Sequence, residues 1–213
     1  MDQAKSPLLT DLYQLTMLQA YLEAGMADAA VFEFYVRKLP QGRNFLLAAG
    51  LGPVLEYLAG MRFSEGEIDY LSGTGRFSRA VLEYLEDFRF TGDVHALPEG
   101  TVFFPGEPLL RVTAPIPAAQ LVESRIINIL HLHTIIASKA ARCRLAASPS
   151  TLLVDFGMRR AHGAEAAMAA ARSSYIAGFA GSSTVLAGQV YGIPVFGTMA
   201  HSFIEAHTGE LQA

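Results

Sequence analysis

Thr151-Leu152-Leu153-Val154-Asp155-Phe156-Gly157-Met158-Arg159-Arg160-Ala161-His162-Gly163 is an apolar, β-type run that stops abruptly in charge, ring and glycine. A strand that delivers chemistry ends in this way, because reactive side chains of parallel α/β folds sit where strands end and the chain turns toward a helix. Asp155, Arg159, Arg160 and His162 fall in that turn. Arg159 is the best local cation for a carboxylate or a phosphate. The plainer alternative is a surface loop with two solvated arginines.

The arrangement recurs downstream. Gly192-Ile193-Pro194-Val195-Phe196-Gly197-Thr198-Met199-Ala200-His201-Ser202 is a second short apolar run followed by glycine, with Thr198 and His201 three apart. One helical turn would bring those two onto the same side. Between the runs, Gly181-Ser182-Ser183 opens another strand-to-helix turn whose N–H groups, Ser182 among them, could face an anion, or could simply cap a helix. After Pro149 the pattern is strand then helix three times: 151–155 with 164–174, 177–180 with 183–191, and 194–197 with a start at His201. That is a parallel α/β barrel pattern, and three units cannot close a barrel.

Upstream the signals differ. Thr10 and Asp11 are N-cap candidates before Leu12, Leu15, Leu18 and Leu22, Gly25 is the stop, and Tyr13 lies off the apolar stripe. Residues 30–37 alternate as a strand does, and helices are expected over 45–59 and 78–88. From Asp93 to Thr113 short β segments alternate with turns such as Pro98-Glu99-Gly100. This stretch resembles the small sandwich of biotinyl and lipoyl carriers, but it holds no lysine to carry the group, so a structural sandwich is the better account. Pro115 and Pro117 mark a boundary between an N-terminal domain, 1–117, and the first part of a barrel domain, 118–213.

A helix of about 45 Å is expected from 118 to 147. Asn128, His131, Ile135, Lys139 and Arg142 form one stripe on it. That stripe is either the solvent face, or its basic end looks into a phosphate or carboxylate site.

Composition supports a soluble α/β protein with unfinished surfaces. Hydrophobic residues make up 51% of the 213 and charged residues 17%, below the roughly 25% usual for soluble domains. Such a chain is expected to bury faces against another chain or another part of the fold. Residues 1–117 hold nine basic and fifteen acidic side chains, a net of −6, whereas 118–213 hold seven and five, a net of +2, with five of the six histidines. An overall −4 gives no support to nucleic-acid or anionic-membrane binding. Cys143 is the single cysteine, expected in the core; it allows no internal disulfide and points to a reducing, cytoplasmic setting. The apolar run 126–138 is too short to span a bilayer.

Taken in order, Leu8-Leu9-Thr10-Asp11-Leu12-Tyr13-Gln14-Leu15-Thr16-Met17, Phe32-Glu33-Phe34-Tyr35-Val36-Arg37 and Gly197-Thr198-Met199-Ala200-His201-Ser202 resemble the nicotinate phosphoribosyltransferase family over nearly the whole chain. Members of that family are roughly twice as long. The resemblance implies a fold of an N-terminal α/β domain with a small β sandwich, followed by an incomplete phosphoribosyltransferase-type α/β barrel.

It implies transfer of phosphoribose from phosphoribosyl pyrophosphate to nicotinate, giving nicotinate mononucleotide and pyrophosphate, driven by ATP with Mg2+. Tyr13 would supply an aromatic surface across a homodimer interface, Thr198 would contact nicotinate, and His201 would be the histidine that ATP phosphorylates. Lys139 and Arg142 match the basic end of a helix that faces the phosphate or carboxylate site. Asp155 either accepts a bond from substrate or orients Arg159; the second is favoured because a carboxylate facing nicotinate's carboxylate repels it. In amide-using relatives an Asp there faces the amide, which leaves acid against amide partly open, though Arg-Arg-Ala-His-Gly resembles the acid users. The rivals are a quinolinate-type phosphoribosyltransferase, which asks for a denser Arg, Lys and His cluster, and an inactive fragment or assembly subunit. A second chain could complete the barrel.

Overall fold

The computed structural model describes residues 5–209. Helix α1 (Leu12–Glu23) follows Asp11 and ends before Gly25, whose φ of 66° is the left-handed stop that glycine tolerates. Leu15 and Leu18 bury its apolar side. Asp11 occupies the cap position without capping; its carboxylate accepts from Ser124 Oγ at 2.7 Å instead.

Strand β1 (Ala29–Tyr35) shows the expected alternation of exposed and half-buried residues. The helix expected over 45–59 is a short strand, β2 (Leu46–Leu47), followed by α2 (Leu51–Gly60). Leu46, Leu47, Ala48 and Ala49 are all buried, so this run carries no alternation by which strand and helix could be told apart. Between them Gly50 adopts φ 103°, and a Cβ there would press on His133 Cβ at 3.1 Å.

Helix α3 (Glu65–Gly73) is an addition to the expected elements. The signal that those expectations left out is its capping box, Ser64-Glu65-Gly66-Glu67, in which Glu67 Oε2 accepts from the Ser64 N–H at 2.8 Å. Next come α4 (Arg79–Glu86), β3 (Asp93–Ala96), β4 (Val102–Phe103) and β5 (Pro108–Pro115). β5 lies between β1 and β3 in an antiparallel sheet, and β2 pairs with β4 in another.

The single helix expected over 118–147 is two: α5 (Ile116–Leu121) and α6 (Glu123–Ala146). The buried Val122 is the joint. α5 packs on α1, β1 and β5, while α6 packs on α2, β2 and α7, so one straight rod could not serve both sets. At 1.5 Å per residue α6 is about 36 Å long.

Beyond Pro149 the barrel segment takes shape from β6 (Val154–Asp155), a 3-10 turn (Met158–Arg160), α7 (Ala164–Ile176), β7 (Gly181–Ser182), α8 (Val185–Tyr191) and α9 (His201–Glu205). The second strand lies later than the expected 177–180, because α7 runs on to Ile176 and Gly178 turns the chain at φ 93°. β6 pairs in parallel with β7, and Ser182 bridges in parallel to Val195, so three consecutive segments run side by side in one direction. A Cβ on Gly181 would collide with Pro194 O, so glycine allows the last two to lie this close.

Residues from α1 to α6 share a large apolar core, whereas the barrel segment holds only small alanine-rich clusters such as Ala171, Ala187 and Ile193. Leu152, Phe156, Val185, Leu186, Val190, Met199 and Phe203 remain exposed there. Part of the apolar excess in the composition lies here, and part on the N-terminal elements, where Leu12, Val31 and Tyr70 are also exposed. Cys143, expected in the core, is exposed on the polar side of α6. Among the described residues no helix is long and apolar enough to cross a membrane.

Candidate active site at the ends of the parallel strands

Since β6, β7 and the segment at Val195 run parallel, the residues that follow them share one end of the small sheet. Asp155 and Ser182 are therefore neighbours at that end, and the loops that carry Arg159, Thr198 and His201 leave the sheet from it. Arg159 lies in the exposed 3-10 turn, its guanidinium without an ion pair among the described residues. Thr198 and His201 are both exposed. Helix α9 begins only at His201, so Thr198 belongs to the preceding loop rather than to one helical turn with the histidine. α9 has five residues and its Phe203 N–H already binds Ala200 O, so what it offers at His201 is the N–H groups of His201 and Ser202, not a long helix dipole.

Two expectations are corrected here. Asp155 does not bind Arg159 directly: its Oδ1 accepts from the Gly157 N–H at 2.9 Å and its Oδ2 from Ser182 Oγ at 2.8 Å. The carboxylate thus braces the turn that presents Arg159. Ser182 is fully buried, and its hydroxyl also accepts from the Thr184 N–H at 3.1 Å. Nor are the neighbouring N–H groups free for an anion, since that of Ser182 binds Pro194 O at 3.1 Å and that of Ser183 binds Asp155 O at 2.8 Å. Pairing in the sheet consumes the donors that the glycine-serine pattern made available.

Tyr13 stands at the start of α6. Its ring is half exposed, and its Oη accepts from Gln14 Nε2 at 2.8 Å and donates to Glu123 Oε2 at 3.3 Å. Partial burial, then the Glu123 carboxylate, raise the phenol's pKa and keep it protonated. Beside it a cavity of about 230 Å3 is lined by Thr10, Asp11, Ser124, Arg125 and Asn128. Arg125 is buried and pairs with Glu165 in the first turn of α7, directly after the Arg159 loop, so this end of α6 is tied to the end where the parallel strands finish. Lys139 and Arg142 are not brought to that end. They lie 14 and 17 residues beyond Arg125, about 21 and 26 Å along the helix axis.

The model of the nicotinate phosphoribosyltransferase (NAPRTase) N-terminal domain matches residues 8–131, and the model of the nicotinate phosphoribosyltransferase (NAPRTase) family matches residues 151–212. The chain belongs to the nicotinate phosphoribosyltransferase family. It is 54% identical over 206 residues to a nicotinate phosphoribosyltransferase of Mycobacterium tuberculosis, covering 97% of this chain and 44% of that protein. With the human nicotinate phosphoribosyltransferase it shares 42% identity over 210 residues, covering 97% and 39%. The crystal structure of the human nicotinic acid phosphoribosyltransferase superposes with a TM-score of 0.85 at 41% identity, covering 93% of this chain and 40% of that one. A nicotinate-nucleotide pyrophosphorylase from Pyrococcus furiosus shares the fold, with a TM-score of 0.78 at 24% identity over 100% of this chain and 46% of that one. The chain spans less than half the length of these relatives.

In this member of the family the barrel segment is locked to the N-terminal part by a polar cluster that sequence patterns did not single out. Arg172 on α7 donates through both terminal nitrogens to the two oxygens of Glu99, each at 2.7 Å, and Glu99 also accepts from the Gly50 N–H at 2.6 Å. His133 Nδ1 lies 2.8 Å from Ser173 Oγ. The signals were faint: a lone arginine in an alanine-rich helix, and a glutamate read only as part of a turn. Burial raises the Glu99 pKa, but the bonds from Arg172 and Gly50 outweigh it and leave the carboxyl below its ordinary value.

Burial, then the facing Arg172 and Arg125, pull the His133 pKa from 6.5 to about 4 against the opposing pull of Glu99 and Glu165. Across that window the unfolded chain binds a proton that the folded one refuses, so stability falls as pH falls, by up to about 3 kcal/mol. Denaturant unfolding followed over this range should show the loss, and His133→Gln should flatten it. A slope unchanged in the variant would assign the acid sensitivity to other groups.

Proposed function

We propose that the protein to which this chain belongs makes nicotinate mononucleotide. The nitrogen of the nicotinate ring attacks the anomeric carbon of phosphoribosyl pyrophosphate, the new N–C bond forms as the C–O bond breaks, and pyrophosphate leaves. Positive charge develops on the ribose in that displacement, so positioning and electrostatics carry most of the catalysis. What chiefly supports this reading is that the loops carrying Arg159, Thr198 and His201 leave one end of parallel strands in a chain 54% identical to an enzyme of that name.

Arg159 is the cation for the substrate carboxylate or a phosphate, with Asp155 and, behind it, Ser182 holding its turn in shape. Thr198 contacts the nicotinate. Tyr13, half exposed and held by Glu123 and Gln14, offers its ring to the pyridine of a partner subunit's site in a homodimer. ATP donates its terminal phosphoryl group to a ring nitrogen of His201, ADP departs, and water later releases phosphate. Magnesium would enter with the phosphates and would neutralise part of their charge. In this scheme residues 1–117 form the N-terminal domain and 118–213 open the barrel, completed by further strands in the same or a second polypeptide, in the cytoplasm. Lys139 and Arg142 lie outside the scheme.

The test uses radiolabelled substrates. A complete protein carrying this sequence should convert nicotinate, and neither nicotinamide nor quinolinate at a comparable kcat/KM. The 213-residue chain by itself should form no product above background, because three parallel segments do not enclose the ribose and the usual phosphate site of such barrels lies on later strands. Preference for quinolinate or nicotinamide would sink the substrate assignment, and turnover by the verified 213-residue chain would sink the requirement for the rest of the barrel.

A further inference from the structure

We propose that the C-terminal end of α6 carries a second anion site, for a phosphate dianion, built from Arg43, Lys139 and Arg142 and separate from the loops that carry Arg159 and His201. The three side chains line one cavity of about 300 Å3, with Cys143 and Ala146 completing its wall. Lys139 and Arg142 are one helical turn apart on the same face of α6. Arg43 reaches them from the loop before β2, which Arg142 ties down by donating from Nη2 to Gly42 O at 3.2 Å. No carboxylate lines the cavity, and none of the three cations makes an ion pair among the described residues.

Three like charges drawn into one concavity repel one another, and a cleft lined by a single sign concentrates counter-ions. General basicity does not explain the cluster, since the chain carries a net charge of −4. Two guanidinium forks and an ammonium match the several acceptor oxygens and double charge of a phosphate. A carboxylate would leave two of the three charges uncompensated.

Topology separates this site from the catalytic one. Arg125 at the other end of α6 is joined to α7 just after the Arg159 loop, whereas Arg144 beside the cavity donates to Thr151 O at 2.6 Å, where the chain enters β6. The cavity therefore sits at the end where the parallel strands begin, and Arg159 and His201 at the end where they finish.

Cys143 provides the readout, being exposed, in the cavity wall and the single cysteine of the chain. Its alkylation rate by iodoacetamide in the 213-residue chain should fall saturably with inorganic phosphate at constant ionic strength, by about ten-fold at ten times the dissociation constant. Arg43→Gln/Lys139→Gln should abolish this protection, measured as the ratio of rates with and without phosphate. Arg159→Gln should leave the ratio intact. Adenosine monophosphate is the second probe: tighter protection identifies a phosphate ester as the ligand, equal protection the free anion, and both uphold the site. Slowing that does not saturate, that chloride reproduces, or that Arg159→Gln removes while the double variant keeps it, overturns the proposal.

Discussion

In the complete enzyme, His201→Ala will abolish the stimulation of nicotinate mononucleotide synthesis by ATP, so that the ratio of rates with and without ATP falls to unity. Some ATP-independent transfer should survive, because Arg159, Thr198 and Tyr13, which are proposed to hold the transfer substrates, are untouched. The physical basis is position: His201 is exposed at the first residue of α9, at the end of the sheet where Arg159 also lies. The Phe203 N–H of that first turn already binds Ala200 O, which leaves those of His201 and Ser202 to hold an attached phosphoryl group. The wild-type enzyme incubated with ATP and magnesium should carry an acid-labile, base-stable phosphate that mass spectrometry places on His201. Phosphate found on another residue, or ATP stimulation retained by the variant, would refute the assignment.

Arg172→Met will lower the unfolding free energy of the chain by about 3 kcal/mol, because it strips Glu99 of two bonds and leaves a half-buried carboxylate with the Gly50 N–H as its remaining bonded partner. Arg172→Lys should recover only part of this, since one ammonium cannot reproduce the fork that spans both carboxylate oxygens. The double variant Glu99→Gln/Arg172→Met should be more stable than Arg172→Met alone, as the unpaired charge is then gone. Arg172 is also the leading charged neighbour that depresses the His133 pKa. Its loss should therefore shrink the acid sensitivity as well. Urea unfolding at neutral and acid pH measures both effects, and a loss below about 1 kcal/mol would place the pair among ordinary surface bridges.

Both predictions rest on features of different legibility. The His201 turn could be found by eye, because a short apolar run, a glycine and then polar residues form a local pattern that needs no partner to be recognised. The same holds for α1 with its Gly25 stop, for the alternation of β1, and for strand alternating with helix after Pro149. The capping box of α3 belongs with them, being written in four consecutive residues.

Other features follow from contacts distant in sequence. The pairing of Leu46 and Leu47 with β4 makes a strand of a run that is buried on all sides. Separate sets of partners for α5 and α6 break one expected helix at Val122. Glu99 and Arg172 are 73 residues apart, and His133 and Ser173 are 40 apart, so no periodicity links them. The stripe containing Lys139 and Arg142 was correctly read as one helical face, but which end of the barrel its basic part adjoins depends on how α6 packs. Ser182 and Asp155 lie at strand ends by their sequence, yet only parallel pairing of β6 with β7 turns each toward the other. Local backbone preference and periodicity are properties of a short segment and determine where the elements and their reactive ends lie. Partner choice, burial and the direction a polar group faces arise from surfaces that meet only after the chain has folded.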